Sequence, residues 1–154
     1  MKTYCIIPAR IGSTRLPRKM LVPVQGVPLI QRTYQRVLNS NLFDDIWVAT
    51  DDLTISNLIE NIGGKTIMTD SKLKTGTDRV AFAANKLTLD GVIVNIQGDQ
   101  PFVKDSMLKA LVSPILNGDC QMSTISQPLM SDDHNNPDVA KVICDMNQFA
   151  IYFS

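Results

Sequence analysis

The sequence predicts an α/β fold, a mainly parallel sheet with helices on both faces. Three observations predict it. Short apolar runs alternate along the chain with segments of helical period. The runs at residues 4–8, 46–49 and 92–96 are almost continuously apolar, as strands covered on both faces are. The length, 154 residues, suits one domain over 1–154 with a sizeable core.

Each element has its own signal. Residues 4–8 are an apolar strand ending at Pro8. Residues 9–19 carry Gly12, Pro17 and polar side chains, so they read as a loop. Leu29, Ile30, Tyr34, Val37 and Leu38 recur at helical spacing, and Asn39-Ser40-Asn41 ends that helix. Residues 45–50 form the next strand. Asp51-Asp52 then caps a helix whose apolar set is Leu53, Ile55, Leu58, Ile59 and Ile62, and Gly63-Gly64 closes it. Residues 65–68 read as a short strand and 69–76 as a polar loop. A helix starts at Thr77 or Asp78 and runs to Lys86. Residues 92–96 are a strand stopped by Gln97-Gly98-Asp99-Gln100-Pro101, and 105–116 are helical in period. Three more strands are expected at 122–126, 139–144 and 149–154.

Composition removes several classes of function. The hydrophobic fraction of 44% and charged fraction of 19% exclude a disordered chain. No apolar run approaches the roughly 18 residues of a membrane span, and the first apolar stretch is too short for a secretory signal. Fifteen basic and fifteen acidic residues cancel, which argues against general attraction to nucleic acid or to an acidic membrane. Any anion site must be local. Cys5, Cys120 and Cys144 show no C-x-x-C spacing and read as buried free thiols of a reducing cytoplasm. His134 is the one histidine, in a polar loop, so triad or multi-histidine metal chemistry has little to work with.

In parallel sheets ligands bind beyond the carboxyl ends of the strands. The first such loop places Arg10, Arg15, Arg18 and Lys19 within ten residues, with Gly12, Ser13 and Thr14 between them. Guanidinium forks match phosphate oxygens bidentately, and a lysine adds a point charge. The loop suits a polyphosphate, or it is a solvated basic loop; it carries no Walker or dinucleotide fingerprint. Gln97-Gly98-Asp99 offers a carboxylate for magnesium and an amide for a polar substituent, or else a turn. Thr75-Gly76-Thr77-Asp78-Arg79 is a helix start, either capped or anion-binding. Asp51-Asp52 is a pair of carboxylates at a site or a helix cap. Lys141, inside an apolar strand, reaches solvent or faces an anionic substrate.

Taken together these segments resemble one family. Ile6-Ile7-Pro8-Ala9-Arg10, Ser13-Thr14-Arg15-Leu16-Pro17 and Lys19 resemble the opening of the 3-deoxy-manno-octulosonate (Kdo) cytidylyltransferases. Ala49-Thr50-Asp51-Asp52, Gly76-Thr77-Asp78-Arg79, Asn95-Ile96-Gln97-Gly98-Asp99, Asn136-Pro137, Ala140-Lys141-Val142 and Ala150-Ile151-Tyr152-Phe153-Ser154 follow in family order. Sialate cytidylyltransferases typically read Ser-Lys-Arg in the first loop, which favours Kdo. The resemblance implies a nucleotide-diphospho-sugar transferase (Rossmann-like) fold. It also implies cytidylyl transfer from CTP to Kdo in the cytoplasm, for lipopolysaccharide biosynthesis, with Mg2+ as cofactor and a homodimer in the full-length family. By position, Arg10, Ser13, Arg15 and Lys19 would hold the triphosphate. Pro8, Ala9, Thr75, Gly76 and Arg79 would seat the nucleotide, and Gln97 would touch ligand. Lys19 and Asp99 would be catalytic, Asp99 as the magnesium ligand. The chain departs from the family at Arg18 (commonly Gly), Gln100 (commonly Glu), and Leu73 and Thr75 (often His and Ser). It corresponds to the family's N-terminal part and is expected to lack the C-terminal portion. A nucleotide-binding lobe without catalysis, or a cytidylyltransferase for 8-amino-Kdo or sialate, are the alternatives. Arg15→Ala and Lys19→Ala are each expected to weaken CTP binding by about 1–3 kcal/mol, the scale of a charge-assisted contact, as read by calorimetry.

Overall fold

Residues 3–9 are short of polar side chains, and in the computed structural model all seven are buried in strand β1 (Thr3–Ala9). The structure describes residues 1–12 and 16–154. These fall into two compact units, Met1–Ser123 and Thr124–Ser154.

In the first unit β1 is followed by a 3-10 turn (Lys19–Leu21) and by a small antiparallel ribbon of β2 (Pro23–Val24) and β3 (Val27–Pro28). Gln25 and Gly26 both have positive φ, the two-residue turn whose twist suits a hairpin. Sequence reading missed this ribbon because each strand is only two residues long. Helix α1 (Leu29–Leu38), strand β4 (Asp45–Thr50), helix α2 (Leu53–Glu60), strand β5 (Lys65–Met68), helix α3 (Gly76–Lys86), strand β6 (Val92–Asn95) and helix α4 (Asp105–Leu116) follow. The expected elements thus form within a residue or two of their bounds.

Four strands make one parallel sheet, in the order β5-β4-β1-β6. Alternation along β1 sorts its side chains. Cys5, Ile7 and Ala9 enter a core with Ile30, Tyr34 and Val37 of α1, Ile55 and Ile59 of α2, and Leu108 and Val112 of α4. Ile6 points to the other face and joins Ala49 and Ile67 against Val80 and Ala83 of α3. Helices therefore cover both faces, as predicted. Arg36 ties α1 to the start of α4 through the Val103 carbonyl (2.6 Å) and Asp105 (2.7 Å). Trp47 packs on the α3 side with Lys65 Nζ 5.6 Å from its ring centroid, and its indole N–H is buried without an acceptor among the described residues. Among the described residues no helix is long and apolar enough to cross a membrane.

The second unit holds a 3-10 turn (Ser131–Asp133) and an antiparallel hairpin of β7 (Val142–Cys144) and β8 (Ala150–Phe153). Residues 122–126 are not a strand. The last two strands do not extend a parallel sheet either. Only five residues join them, whereas a parallel pair needs a crossover of a dozen or more. Asp145 makes the turn by accepting from the Asn147 and Phe149 amides (2.9 and 2.8 Å). Lys141 donates to the carbonyls of Asn136 and Val139 (2.7 and 3.0 Å), so its charge serves the backbone of its own unit.

Of the cysteines only Cys5 is buried, and burial pushes its thiol well above the usual range. Cys144 is exposed because β7 lies in the thin hairpin rather than in a covered sheet, which corrects the expectation of three buried thiols.

Gly91 precedes β6 at φ 151°, and an added Cβ would stand 2.3 Å from the Lys2 carbonyl oxygen. Backbone cannot move aside as a side chain tip can. Gly91→Ala is expected to lower stability by about 1–3 kcal/mol in urea unfolding, the scale of an overpacked site.

Candidate functional site

The chain runs from β1 to β4 and β5 on one side, then returns to β6 on the other side of β1. The connection reverses between β1 and β6, and ligands bind in the crevice outside the strand ends at such a point. A cleft of about 280 Å³ opens there, lined by Pro8, Arg10, Gly12, Lys19, Met20, Leu73, Lys74, Thr75, Gly76, Arg79, Gln97 and Asp99.

Lys19 reaches the cleft from the 3-10 turn. The turn is held by Leu21 N–H donating to the Arg18 carbonyl (2.9 Å) and by Met20, which packs on the core. Arg18, just before it, has φ 54° and ψ 32°, left-handed geometry that glycine adopts without a Cβ penalty. The position where the resemblance calls for glycine thus has a backbone reason for it. Lys19 Nζ meets Asp99 Oδ2 at 2.5 Å, with both side chains about one third exposed (38% and 34%). A cation from the β1 loop and a carboxylate from the β6 loop therefore face each other across the crevice.

Gly98 makes that approach possible. Its added Cβ would lie 2.8 Å from Met20 Sδ, 3.0 Å from Ile30 Cδ1 and 3.2 Å from the Pro8 carbonyl oxygen. The Gly98 carbonyl accepts from the buried Thr33 hydroxyl of α1 (2.8 Å), which fixes the loop height. Gln97 is steadied by donating to Asn95 Oδ1 (3.0 Å) and lies beside Gly76, where a Cβ would come within 3.2 Å of its Oε1.

The third wall is the start of α3. Thr75 accepts from the Asp78 amide (3.0 Å) and the Asp78 carboxylate accepts from the Thr75 amide (3.1 Å), a reciprocal cap. Arg79 follows, buried to 2% exposure. Its guanidinium donates to Thr69 Oγ1 and to Asp51 Oδ2 (3.1 Å). Asp51 Oδ1 accepts the Ile11 amide (3.1 Å). Asp52 alone caps α2, accepting from Thr54 (2.7 Å) and Ile55 (3.2 Å). The two neighbouring aspartates thus have different work.

Most sequence-predicted residues converge on the cleft: Pro8, Arg10, Lys19, Thr75, Gly76, Arg79, Gln97 and Asp99 all line it. Ala9 does not. The alternation of β1 turns its methyl into the core with Cys5 and Ile7, where it is fully buried. Ser13 and Arg15 lie outside the described residues. Sequence reading missed Lys74 and Met20 as lining residues. Lys74 stands directly before the Thr75-Gly76 pair, and that adjacency was the available signal. No group of three or more His, Cys, Asp or Glu side chains among the described residues is placed to cage a metal ion.

The fold is that of the nucleotidyl transferases. A nucleotidyl transferase from Methanothermobacter thermautotrophicus superposes with a TM-score of 0.60 at 18% identity, over 73% of this chain and 57% of that one. The family is narrower. The chain belongs to the cytidylyltransferase family, whose profile matches residues 4–154. It is 41% identical to the 3-deoxy-manno-octulosonate cytidylyltransferases of Thermodesulfovibrio yellowstonii and Chloroherpeton thalassium, over 100% of this chain and 64% of each of those. It superposes on a CMP:2-keto-3-deoxy-manno-octonic acid synthetase complexed with CTP with a TM-score of 0.88 at 32% identity, over 100% of this chain and 64% of that one. The chain thus spans about 64% of the length of these relatives.

Gly98→Ala is expected to cost about 1–3 kcal/mol, because Met20 and Ile30 must yield together. Gly12→Ala, where a Cβ meets nothing within 4 Å among the described residues, is expected to stay within about 0.5 kcal/mol of the parent. Paired urea melts of the two variants check both.

Proposed function

We propose that the cleft binds CTP and that the protein of which this chain carries the fold takes part in cytidylyl transfer to Kdo. The anomeric hydroxyl of the sugar attacks the α-phosphorus and gives up its proton to solvent, the bond between the α-phosphorus and its bridging oxygen breaks, and pyrophosphate leaves. The observation that carries this reading is the crossover cleft with Arg10 and Lys19 on its β1 side and Asp99 on its β6 side. The likeness over the whole chain to a synthetase complexed with CTP supports it.

No protein nucleophile is required. Positioning and neutralisation of phosphate charge supply the rate. Lys19 exchanges Asp99 for a phosphate oxygen, and Arg10 adds a second cation at the same mouth. By the family resemblance, Arg15 would add a further cation and Ser13 a hydroxyl to the triphosphate contacts. The Pro8 ring and the Gly76 backbone give a narrow wall for the nucleotide, with Thr75 at its edge, and Gln97 offers its amide to a polar substituent. Asp99 fits one ligand position of magnesium as a hard carboxylate oxygen, and phosphates and water suit the rest. When bound, that ion would neutralise phosphate charge. A cytoplasmic setting and service to lipopolysaccharide synthesis accompany the same reading.

The alternative reading is a lobe that grips CTP without completing the reaction. Pyrophosphate release from the purified chain with CTP, magnesium and Kdo, run beside CTP calorimetry, separates them. Kdo-dependent release is the outcome expected of the enzyme. Binding without release is expected of the lobe, and absence of CTP binding would overturn both. Replacing Kdo with sialate or 8-amino-Kdo in the same assay tests the sugar.

A further inference from the structure

We propose that Asp51 is a positioning residue for nucleotide binding, holding the β1 loop and the start of α3 at the distance the phosphates need. The proposal rests on the CTP reading above. Asp51 lies at the carboxyl end of β4, one strand away from the crevice, and does not line the cleft. Its side chain is only 8% exposed and both its oxygens are engaged. Oδ1 takes the Ile11 amide at 3.1 Å, the second residue beyond β1 and the neighbour of Arg10 and Gly12. Oδ2 takes Arg79 at 3.1 Å, in the first turns of α3, and Arg79 binds Thr69 beyond the end of β5. One buried carboxylate therefore links the cationic loop, the α3 wall and the ends of two strands.

Two roles for this carboxylate have opposite signs. If Asp51 only neutralised Arg79, removing its charge would leave a bare guanidinium lining the cleft. An anionic nucleotide would then bind more tightly. If Asp51 sets the geometry, its loss lets the loop carrying Arg10 and Lys19 drift. Phosphate affinity then falls, because small misplacements of binding groups are costly. The geometry favours the second role, since half of the bonding of Asp51 goes to an uncharged backbone amide that neutralisation does not require.

The test uses the full chain. CTP and CMP binding are measured by calorimetry for the parent and for Asp51→Asn, with amide hydrogen exchange followed at Ile11. The expected result is a loss of roughly tenfold or more in CTP affinity with a smaller change for CMP, so that the triphosphate advantage shrinks. Faster exchange at Ile11 with β1 still protected accompanies it. A general loss of stability would not change the ratio of the two affinities in the folded fraction. Equal or tighter CTP binding by Asp51→Asn overturns the positioning role and leaves the CTP reading standing. A parent chain that fails to bind CTP overturns both, and the parent titration alone reveals that case. If Asp51→Asn does not fold, Ile11→Pro removes the amide donor and spares the Asp51–Arg79 pair. It carries the same expectation, and parent-like CTP binding by that variant overturns the proposal.

Discussion

The two-sided pairing of β1 is the constraint on which the site depends. The strand is buried along its whole length and is bonded to β4 on one side and β6 on the other. A strand in that position needs apolar residues on both faces, and 5–7 are Cys-Ile-Ile. Because the chain leaves β1 towards β4 and returns beside it as β6, the loops after β1 and β6 must open on one crevice. Lys19 and Asp99, 80 residues apart in sequence, come to 2.5 Å because of that reversal.

The same constraint decides which side chains face ligand. Within β1 the alternation sends Cys5, Ile7 and Ala9 into the larger core, while Pro8 lines the cleft. On the opposite face α3 is the helix that covers Ile6, and its first turn is also a wall of the crevice. Packing and binding share one element there. That sharing explains why Arg79 is buried and bonded to protein groups although it lines the cleft.

Strands and helices of the first unit were legible because their signals are local: apolar runs, helical period, and the Asp51-Asp52 pair before α2, whereas the Thr75 cap of α3 falls inside the segment read as a polar loop. Arg10, Lys19, Gln97 and Asp99 were legible as candidates because ligands bind beyond the strand ends of parallel sheets and because their segments resemble the family's, while the residue types alone left a solvated loop and a turn open. Other features were not legible, since they depend on contacts distant in sequence. The division of labour between Asp51 and Asp52 follows from which one meets Arg79, 28 residues away. The two-residue strands of the β2–β3 ribbon are too short for any period to show. In the second unit, apolar composition at 149–154 correctly marked a strand, yet every residue of β8 is exposed. Apolar character signals strand and burial together only where a covering layer exists.

Trp47 offers a consequence of a different kind. It is the sole tryptophan of the chain, placed on β4 where that strand pairs with the edge strand β5. Its ring lies beneath the Lys65 ammonium, and its indole N–H is enclosed without an acceptor among the described residues. An indole so enclosed emits differently once water reaches it. The protein therefore carries its own fluorophore at a single seam. Peeling of β5 from the sheet would register in the emission colour, while loosening confined to the β6 side would leave it silent.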